Sequence, residues 1–442
     1  MENDRNDQPT EANRKDPTPT VYPRSKHNVS RSYIDPDALK IMYRLIRHGY
    51  RAYLVGGGVR DLLLEKIPKD FDIATDATPR KIKGLFRNCR IIGRRFKLAH
   101  IYFKNNKIIE VATFRDSQDP IGDQGDETEG NGTLAADNRY GTAATDAFRR
   151  DLTINGLFYD LSTFSVIDYV GGMNDLREGL IRVIGEPEVR FLEDPVRMLR
   201  VIRHAARAGF SVEPKCWAAI EANHELILQA SPVRIYEEIK KDLLSGSALP
   251  ILQLLSHSSL MQHLLPEFLV VDTPLLVEGS FFATVLARID SDVQSGAKLT
   301  ITPVLSLFAL FFASYPTSAE SFHTYFEDKG DLSDHIQSCF VKLAVPRKER
   351  ERVEDVLSLW LKLMSTPLER LKKLNLERRR SLDEVTWLLY WLSDDPDSDQ
   401  RLAVVREARE RRKKVRRGRR RNRRDPQRND GGRAGDKRPK LL

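Results

Sequence analysis

Two aspartates separated by a single residue, Asp70 and Asp72, are the first side chains in this sequence whose spacing suggests chemistry. They lie in the segment PKDFDIATDATP, together with the apolar residues Phe71 and Ile73. Alternate side chains of a β-strand point to opposite faces, so the two aspartates would share one face while Phe71 and Ile73 face the core. Two carboxylates at such a short distance raise each other's pKa unless a cation lies between them. The segment therefore predicts a metal site on a strand, whereas Asp76 is expected to be a turn or helix-start residue.

A third carboxylate belongs with this pair. Glu110 is the single acid in the apolar segment NKIIEVATFR, on the face of a predicted strand that also carries Ile108 and Ala112. A buried carboxylate without a partner is costly, so Glu110 should either join a metal site or pair with an arginine such as Arg115. With Asp70 and Asp72 it would form an all-oxygen site suited to Mg²⁺ or Mn²⁺.

A glycine-rich turn, GGGVRD, follows the predicted strand 51–55 and precedes a predicted helix 59–65. Glycines let backbone N–H groups approach an anion, and Arg60 adds a fork of donors, so Gly56, Gly57 and Arg60 are candidate triphosphate ligands. The turn is not a Walker A loop, and Asp61 replaces the third glycine of the dinucleotide fingerprint. A tight turn without a ligand is the alternative.

Two arginine-containing motifs follow. RRDLTIN places Arg149, Arg150 and Asp151 at the start of an element, where the arginines are suited to hold a triphosphate. In FLEDPVRMLR, Asp194 and Arg197 are three residues apart and hence neighbours on one face of a predicted helix. This acceptor–donor pair either reads the edge of a base or forms a capping salt bridge.

Further arginines are candidates for contact with RNA, on a helix face and in the C-terminal tail. Residues 401–442 hold 19 Lys and Arg against 5 Asp and Glu, so this tail carries the whole basic excess of a chain with net charge +9. With few apolar residues it is predicted to be disordered, and an Arg-rich tail is typical of binding to the phosphates of RNA or DNA. A solubility tail or a localisation signal is the alternative. The candidates are Arg200, Arg203, Arg207, Arg416, Arg417, Arg419 and Arg420.

Composition sets broad limits on the class of protein. A chain of 442 residues exceeds one ordinary core and predicts two or three domains. No long apolar run is present and the N-terminus is polar, so neither a membrane span nor a secretory signal is expected. Cys89, Cys216 and Cys339 are far apart and predict reduced thiols in a cytoplasmic protein.

The order of predicted elements gives the domain plan. Helical and strand patterns alternate as far as residue 170, which predicts a mixed α/β fold, and beyond 190 the periodicity is almost entirely helical. The predicted segments are a disordered arm (1–33), an α/β head (34–170) with a mobile loop (116–147), a helical neck (171–245), a helical body (246–400) and a disordered Arg-rich tail (401–442).

Taken in order, these motifs resemble those of one family. GGGVRD, DFDIAT, IIGRRFKLAHI, IIEVATFR, RRDLTIN, DYVGGMNDL and EDPVRMLR are similar to the motifs of class II nucleotidyltransferases, in the DNA polymerase beta superfamily. That family comprises tRNA CCA-adding enzymes and bacterial poly(A) polymerases, and the resemblance covers roughly residues 38–245. IIGRRFKLAHI and the basic tail resemble the bacterial poly(A) polymerases.

The resemblance implies a five-stranded nucleotidyltransferase head followed by helical neck and body domains. The roles it implies are metal binding for Asp70, Asp72 and Glu110; triphosphate binding for Gly56, Gly57 and Arg60; a catalytic position near the nucleotide for Asp151, beside Arg149 and Arg150; and nucleobase recognition for Asp194 and Arg197.

The implied activity is template-independent transfer of AMP from ATP to RNA 3′ ends, with two Mg²⁺ or Mn²⁺ ions, in mRNA processing or decay. The implied partners are ATP, mRNA, small RNA and tRNA 3′ ends, and RNA-decay proteins. A tRNA nucleotidyltransferase that adds CCA or its terminal A is the main alternative. A metal-dependent glycosyltransferase with a D-x-D motif is disfavoured by the RRD and EDxxR motifs. An RNA-binding protein with a decayed head is disfavoured by the intact carboxylates.

Overall fold

The computed structural model describes residues 17–93, 97–116, 140–269, 275–314, 329–393 and 396–424, with only the main chain described at 313–314, 329–331 and 416–424. The chain forms two compact units. The first is Met1–Ser231 with Leu254–Leu260, and the second is Pro232–Gln253 with Met261–Leu442. The predicted division into head, neck and body is finer than these two units and stays a prediction.

A mixed eight-stranded sheet forms the centre of the first unit. Its strands are β1 (Thr20–Tyr22), β2 (Ala52–Val55), β3 (Asp72–Thr75), β4 (Cys89–Ile92), β5 (Leu98–Tyr102), β6 (Ile108–Thr113), β7 (Leu157–Asp160) and β8 (Ser165–Asp168). They lie in the order β1-β8-β7-β2-β3-β6-β5-β4. Only β3 and β6 pair in parallel; the other neighbours are antiparallel. A small parallel pair, β9 (Leu180–Ile181) and β10 (Ser211–Val212), lies apart from this sheet.

The two faces of the large sheet are covered differently. The helices of this unit are α1 (Pro36–Arg47), α2 (Gly57–Leu63), α3 (Pro79–Leu85), α4 (Ala143–Phe148), α5 (Gly172–Glu178), α6 (Pro187–Glu193), α7 (Val196–Ala208) and α8 (Pro214–Asn223). Apolar residues of α1, α2 and α3 pack with Leu54, Ile73 and Val111 in the main core on one face. A smaller cluster, which includes Val55 and Phe158, lies on the other face.

Helices dominate the rest of the chain, as the periodicity predicted. They are α9 (Pro232–Leu243), α10 (Ala248–His257), α11 (Met261–Leu264), α12 (Phe281–Gln294), α13 (Ile301–Ser314), α14 (Lys329–Phe340), α15 (Arg347–Ser365), α16 (Leu368–Leu371), α17 (Leu382–Leu392) and α18 (Pro396–Arg424). The prediction of a mixed α/β head followed by a helical body is confirmed. None of the helices in the described ranges is both long and apolar enough to cross a bilayer.

The sheet is larger than the five-stranded head that the resemblance implied, partly because the N-terminal arm contributes to it. Residues 1–33 were predicted to be disordered, and this is wrong from Thr20 onward. Strand β1 pairs with the edge strand β8. His27 Nε2 lies 3.0 Å from the carbonyl oxygen of Phe164, and the Arg31 guanidinium stacks 4.7 Å from the Phe164 ring centroid. Residues 1–16 lie outside the described part.

The predicted loop 116–147 ends earlier than expected. Residues 117–139 lie outside the described part, but Ala143–Phe148 form α4. The Thr142 and Thr145 side chains each accept a hydrogen bond from the other's backbone N–H, which caps the helix. This capping pair satisfies the backbone donors that begin the helix, so the polar composition of the segment did not prevent a helix.

The tail is also more ordered than predicted, since α18 extends to Arg424. Leu402, Val405 and Ala408 recur along one side of α18 and are buried, and α18 packs against α17. Arg409 Nε donates a hydrogen bond to Asp383 Oδ1 on α17, at 2.7 Å. A narrow apolar stripe within a highly charged segment therefore fixes the start of the predicted tail. Residues 425–442 lie outside the described part.

Two valines of α18 test this packing. Val405 is fully buried (0% exposed), whereas Val415 is 53% exposed. Val405→Asp should lower the free energy of unfolding by about 3 kcal/mol, because it buries a carboxylate without a partner. Faster amide hydrogen exchange across α18 should accompany the lower melting temperature. Val415→Asp should change neither quantity, and equal effects of the two substitutions would show that α18 is not docked as described.

Candidate active site

The pairing of strands brings the predicted carboxylates into one line across the sheet. Val55 of β2 is paired with Asp72 of β3, and the parallel register of Ile73 with Val111 sets Asp72 beside Glu110 of β6. Glu110 is in turn paired with His100 of β5, and His100 with Arg90 of β4. Side chains of residues paired in this way point to the same face. We call Val55, Asp72, Glu110, His100 and Arg90 the cross-sheet row.

The aspartate pair lies at the start of β3, which begins two residues later than predicted. Phe71 and Ile73 pack into the main core, as expected, and Asp70 immediately precedes the strand. The pKa of Asp72 is raised to about 6, first because the surrounding protein displaces water, then because of the negative charges of Glu110 and Asp70. Arg150 opposes this effect. The predicted mutual repulsion of these carboxylates is therefore present.

Glu110 does not have the surroundings that the sequence suggested. It shares its strand face with Ile108 and Ala112, as predicted, but its side chain is 48% exposed rather than buried. Its Oε1 lies 3.3 Å from His100 Nε2, the residue paired with it on β5. The backbone N–H of Arg115, the alternative partner that the sequence suggested, donates a hydrogen bond to Asp146 Oδ1 at 3.4 Å. A histidine across the strand pair thus holds the third carboxylate.

The donor chemistry of this region fits a hard divalent cation, although the ligands are not gathered. Asp70, Asp72 and Glu110 supply only carboxylate oxygens, the ligands that Mg²⁺ and Mn²⁺ prefer. A cation would also relieve the repulsion that raises the pKa of Asp72. Across the described ranges, however, no three His, Cys, Asp or Glu side chains come close enough together to hold a metal ion. The metal role of the three carboxylates therefore stays a prediction.

The glycine-rich turn connects β2 to α2 and allows close approach by other groups. Gly56 has a φ of +68°, which favours glycine, and a Cβ added there would lie 3.2 Å from Arg150 Nη1. A Cβ at Gly58 would lie 3.3 Å from the carbonyl oxygen of Asp70. The turn is thus packed against both an arginine and the aspartate segment, which explains the glycines without a ligand and also keeps them beside Asp70.

Arg60 is buried within this unit rather than presented to a ligand. Its side chain is bonded to Asp61, and its Nη1 donates to Asn155 Oδ1 at 2.8 Å and lies 3.1 Å from His204 Nδ1. The residue is only 8% exposed. Arg60 therefore ties α2 to the segment after RRD and to α7, and the predicted contact with a triphosphate stays a prediction.

A buried aspartate fixes the two arginines of the RRD motif. Asp146 Oδ1 accepts hydrogen bonds from Arg149 Nε and Nη2 at 2.9 and 2.7 Å, and its Oδ2 accepts from Arg150 Nη2 at 2.9 Å. These arginines hold the pKa of Asp146 below its ordinary value despite its burial. The Arg150 guanidinium also lies 5.2 Å from the Phe158 ring centroid, and Phe158 is paired with Val55 of the cross-sheet row. Arg150 is therefore beside Gly56 and close enough to influence Asp72.

Asp151 is held by α7. Its Oδ2 lies 2.8 Å from Arg200 Nη2, and its Oδ1 accepts a hydrogen bond from the Leu152 N–H. Burial raises the pKa of Asp151, but the positive charge of Arg200 and its other neighbours lower it well below its ordinary value. Burial and the charge of Arg60 lower the pKa of His204, so this histidine is neutral at pH 7. The contacts of Asp151 join the RRD motif to α7, and its catalytic role stays a prediction.

The predicted base-reading pair lies where α6 ends and α7 begins. Asp194 follows the last residue of α6, and its Oδ1 accepts a hydrogen bond from the Val196 N–H at 3.3 Å. Arg197 is only 5% exposed, and its Nη1 lies 3.5 Å from Glu193 Oε2. Glu193 also pairs with Arg190, whose Nη2 donates to the carbonyl oxygens of residues 148–150 at 3.0–3.4 Å. Arg197 is therefore linked through Glu193 and Arg190 to the end of α4.

The arginines predicted to contact RNA do not form one exposed face. Arg197 and Arg203 are buried, whereas Arg200 and Arg207 are exposed, and Arg200 pairs with Asp151. The α7 pattern combined core-facing and solvent-facing arginines that periodicity alone did not separate. Arg416, Arg417, Arg419 and Arg420 lie on α18, where only the main chain is described, so their contact with RNA stays a prediction.

The residues of this network that were not predicted as site residues include Asp146, Arg190 and His204. Asp146 lies three and four residues before Arg149 and Arg150, so helical spacing was a usable signal for it. Arg190 bonds to carbonyl groups about 40 residues earlier, and His204 to Arg60 on α2. Such distant partners leave no local pattern in the sequence.

Comparison with known protein families assigns two segments. Residues 52–182 match the family model described as the poly A polymerase head domain. Residues 209–270 match the model described as a probable RNA and SrmB-binding site of polymerase A. The first match spans the whole cross-sheet row together with the glycine turn and the RRD motif.

Individual relatives extend this similarity over most of the chain. The chain is 40% identical to poly(A) polymerase I of Salmonella typhi over 365 residues, which covers 78% of this chain and 76% of that protein. It is 36% identical to the CCA-adding enzyme of Lactobacillus johnsonii over 211 residues, 48% of this chain and 50% of that protein. The fold is similar to the crystal structure of the Bacillus stearothermophilus CCA-adding enzyme in complex with CTP, with TM-score 0.59, 24% identity, and coverage of 85% and 82% of the two chains.

The crowding of carboxylates around Asp72 should lower the free energy of unfolding. Because the pKa of Asp72 is raised from 3.8 to about 6 in the folded protein, ionisation of this group opposes folding once the pH rises above about 4. Asp72→Asn should therefore raise the melting temperature of metal-free protein at pH 7. The gain should be at most about 1 kcal/mol, since solvent screens an exposed group. It should shrink as the pH falls and vanish below about pH 3, where wild-type Asp72 is protonated in both the folded and the unfolded state.

Asp76→Asn is the matched control. Asp76 lies four residues further on, where its Oδ1 accepts a hydrogen bond from the Arg51 N–H at 2.9 Å, which agrees with its predicted role in a turn. An asparagine retains that acceptor, so the control removes the same charge without a gain in stability. Equal melting temperatures for wild type and Asp72→Asn in EDTA at pH 7 would contradict the repulsion described above.

Proposed function

The chain belongs to the family of poly(A) polymerase I, a family of nucleotidyltransferases, and we propose that it adds AMP from ATP to RNA 3′ ends without a template. The reaction releases pyrophosphate and uses a two-metal mechanism. The observation that carries this proposal is the position of Asp72 beside Glu110 in the cross-sheet row, with Arg150 near them at the glycine turn. Carboxylates that can bind cations and an arginine that can bind phosphates thus lie on the same face of the sheet.

In this proposal the arginines hold the triphosphate. Arg149 and Arg150 are both anchored by the buried Asp146, so they need little rearrangement to meet an anion. The absence of a side chain at Gly56 allows the Arg150 guanidinium to lie against the turn. The α-phosphorus of ATP would then lie near Asp72, within reach of an RNA 3′ hydroxyl.

Cations bound by Asp70 and Asp72, with Glu110, would activate that hydroxyl and neutralise the leaving pyrophosphate. The 3′ hydroxyl would lose its proton to water, and its oxygen would form a bond to the α-phosphorus as the bond from the α-phosphorus to the oxygen bridging to the β-phosphorus breaks and pyrophosphate leaves. The chain's own contribution is to orient the reactants and to concentrate carboxylates that favour positive charge.

Base selection is assigned to Asp194 and Arg197. A carboxylate accepts from the exocyclic amino group of adenine, and a guanidinium donates to its N1. Cytosine offers the same donor–acceptor order at its amino group and N3, whereas guanine and uracil reverse it. The pair therefore suits ATP and CTP, which is why addition of CCA, or of its terminal A, to tRNA is the second candidate function.

The extent of similarity favours polyadenylation over CCA addition. The match to poly(A) polymerase I of Salmonella typhi covers 78% of the chain, whereas the match to the CCA-adding enzyme of Lactobacillus johnsonii covers 48%. The additional similarity includes helical regions beyond the shared motifs. We place the activity in mRNA processing or decay in the cytoplasm, with mRNA, small RNA and tRNA 3′ ends as substrates and RNA-decay proteins as partners.

Product length and composition separate the two candidates. Purified protein with Mg²⁺ should extend an unstructured RNA with ATP to long tails and should add little with CTP. A tRNA that lacks CCA, offered side by side with each nucleotide, should gain no defined CCA end. Addition that stops after one to three nucleotides on tRNA alone would support the alternative, and loss of all transfer in Asp72→Ala serves as the control for contaminating enzymes.

Arg197 tests base selection. Arg197→Ala should reduce the preference for ATP over GTP and UTP in kcat/KM by about tenfold or more, because one of two base contacts is lost. The apparent Mg²⁺ requirement should be unchanged, since Arg197 is assigned no contact with the cations. Arg47→Ala, which removes an exposed arginine on α1, is the control. An unchanged ATP preference in a folded Arg197→Ala protein would remove Arg197 from base recognition.

A further inference from the structure

The cross-sheet row continues past the carboxylates onto a face of the sheet that remains open. On β4 and β5 this face carries Arg90, Ile92, His100 and Tyr102, and next to them lies Ile108 of β6. Ile92 and Ile108 are 42% and 45% exposed, Arg90 is exposed too, and His100 and Tyr102 are half-buried. The opposite face of the same strands packs into the main core. Basic, aromatic and apolar side chains thus share an open surface directly beside Glu110.

The polar and aromatic residues of this surface contact one another in sequence. Glu110 Oε1 lies 3.3 Å from His100 Nε2, and the His100 ring centroid lies 6.4 Å from that of Tyr102. The Arg90 guanidinium carbon lies 5.5 Å from the Tyr102 ring centroid. With strands about 4.8 Å apart, this chain of contacts extends about 14 Å from Asp72 to Arg90.

The position of the phosphate-binding groups gives this surface a direction. Gly56 and Arg150 lie on the β2 and β7 side of Asp72, since Gly56 follows β2 and Arg150 stacks on Phe158 of β7. Glu110, His100 and Arg90 lie on the other side, on β6, β5 and β4. Phosphoryl transfer places the attacking oxygen and the leaving group roughly in line, on opposite sides of the phosphorus. If the pyrophosphate leaves toward Arg150, the RNA strand that carries the attacking 3′ oxygen must approach from the side of β6, β5 and β4.

We propose that the open face of β4 and β5, formed by Arg90, His100 and Tyr102, binds the last nucleotides of the RNA strand whose 3′ end is extended. This inference rests on the proposed function, because it assigns the acceptor half of the same reaction. Ring faces and guanidinium planes stack unpaired bases without regard to sequence, which suits a substrate of any 3′ sequence. Arg90 adds a positive charge for the RNA backbone, and Ile92 and Ile108 provide apolar contact for sugars and bases.

His100 has a second part in this arrangement as a positioning residue. Its Nε2 lies within reach of Glu110 while its ring lies beside Tyr102, so it connects the third carboxylate to the RNA surface. RNA seated against Tyr102 is thereby placed with its 3′ end toward Glu110 and Asp72.

Steady-state kinetics with a short oligo(A) acceptor test the proposal. Tyr102→Ala should raise the KM for oligo(A) about tenfold, the loss expected for one stacked base, while the KM for ATP changes less than twofold. Arg90→Glu should raise the KM for oligo(A) at least as much, and the increase should shrink as salt is added. Tyr102→Leu keeps an apolar side chain on β5 without an aromatic ring, so it should show the same defect in a protein with an unchanged melting temperature.

Matched controls lie on elements that cover the other face of the sheet. Tyr33→Ala and Arg80→Ala remove an exposed tyrosine and an exposed arginine, next to α1 and on α3. Neither should alter the KM for oligo(A). Unchanged oligo(A) KM values in Tyr102→Leu and Arg90→Glu, with the wild type active, would overturn the RNA surface and leave the proposed function standing. Failure of the wild type to adenylate RNA would refute the proposed function itself.

Photo-crosslinking gives a readout that needs neither ATP nor a cation. An oligo(A) with 4-thiouridine next to its 3′ terminal nucleotide should crosslink to peptides that contain residues 89–92 or 98–102. Competition by unlabelled oligo(A) should remove the crosslink. Specific crosslinks found only on α18, or only on α7, would overturn the proposal even if the variants lower activity.

Discussion

The parallel pairing of β3 with β6 is the constraint on which the rest of the site depends. It sets Asp72 beside Glu110, and the displacement of water by the surrounding protein, followed by the charges of Glu110 and Asp70, raises the pKa of Asp72 to about 6. A sheet that places like charges side by side gains nothing in stability from them. The arrangement is favourable only with positive charge nearby, which Arg150 supplies in part and a bound cation would supply more fully. The surrounding elements can be understood as supports for this unfavourable cluster.

The supports are ionic and polar groups, most of them buried or partly buried, that link distant segments. Asp146 on α4 fixes both arginines of the RRD motif, and Arg190 donates to the carbonyl groups at the end of α4. Arg60 and Arg200 connect α2 and Asp151 to the region of α7. Each of these groups would be costly to bury alone, so their mutual contacts favour one arrangement of the helices around the sheet. Rigid positioning of this kind lowers the reorganisation that a reaction requires.

The sequence predicted what depends on local spacing and missed what depends on partners far along the chain. Alternation in the strands correctly placed Phe71 and Ile73 in the core and Glu110 on a face with Ile108. It could not show that His100 would pair with Glu110, because strand register is a tertiary property. For the same reason, the sequence did not predict that part of the N-terminal arm forms a strand or that α18 forms a helix. The edge strand β1 and the apolar stripe through Val405 are short, and the segments around them are polar. Their composition therefore predicts disorder unless the residues that they pack against are known.

The chemistry of the base edge explains why one set of head motifs serves different polymerases. If Asp194 and Arg197 read the base as proposed, they offer it an acceptor and a donor. Adenine and cytosine both satisfy that order, so this pair alone would not restrict synthesis to poly(A). Discrimination between ATP and CTP must then come from the shape in which Arg197 is held. In this chain Arg197 is buried and joined through Glu193 and Arg190 to the backbone of the RRD motif. Under the proposed function, an arginine held in this way would have little freedom to adapt to a smaller base, which would favour a single nucleotide as substrate.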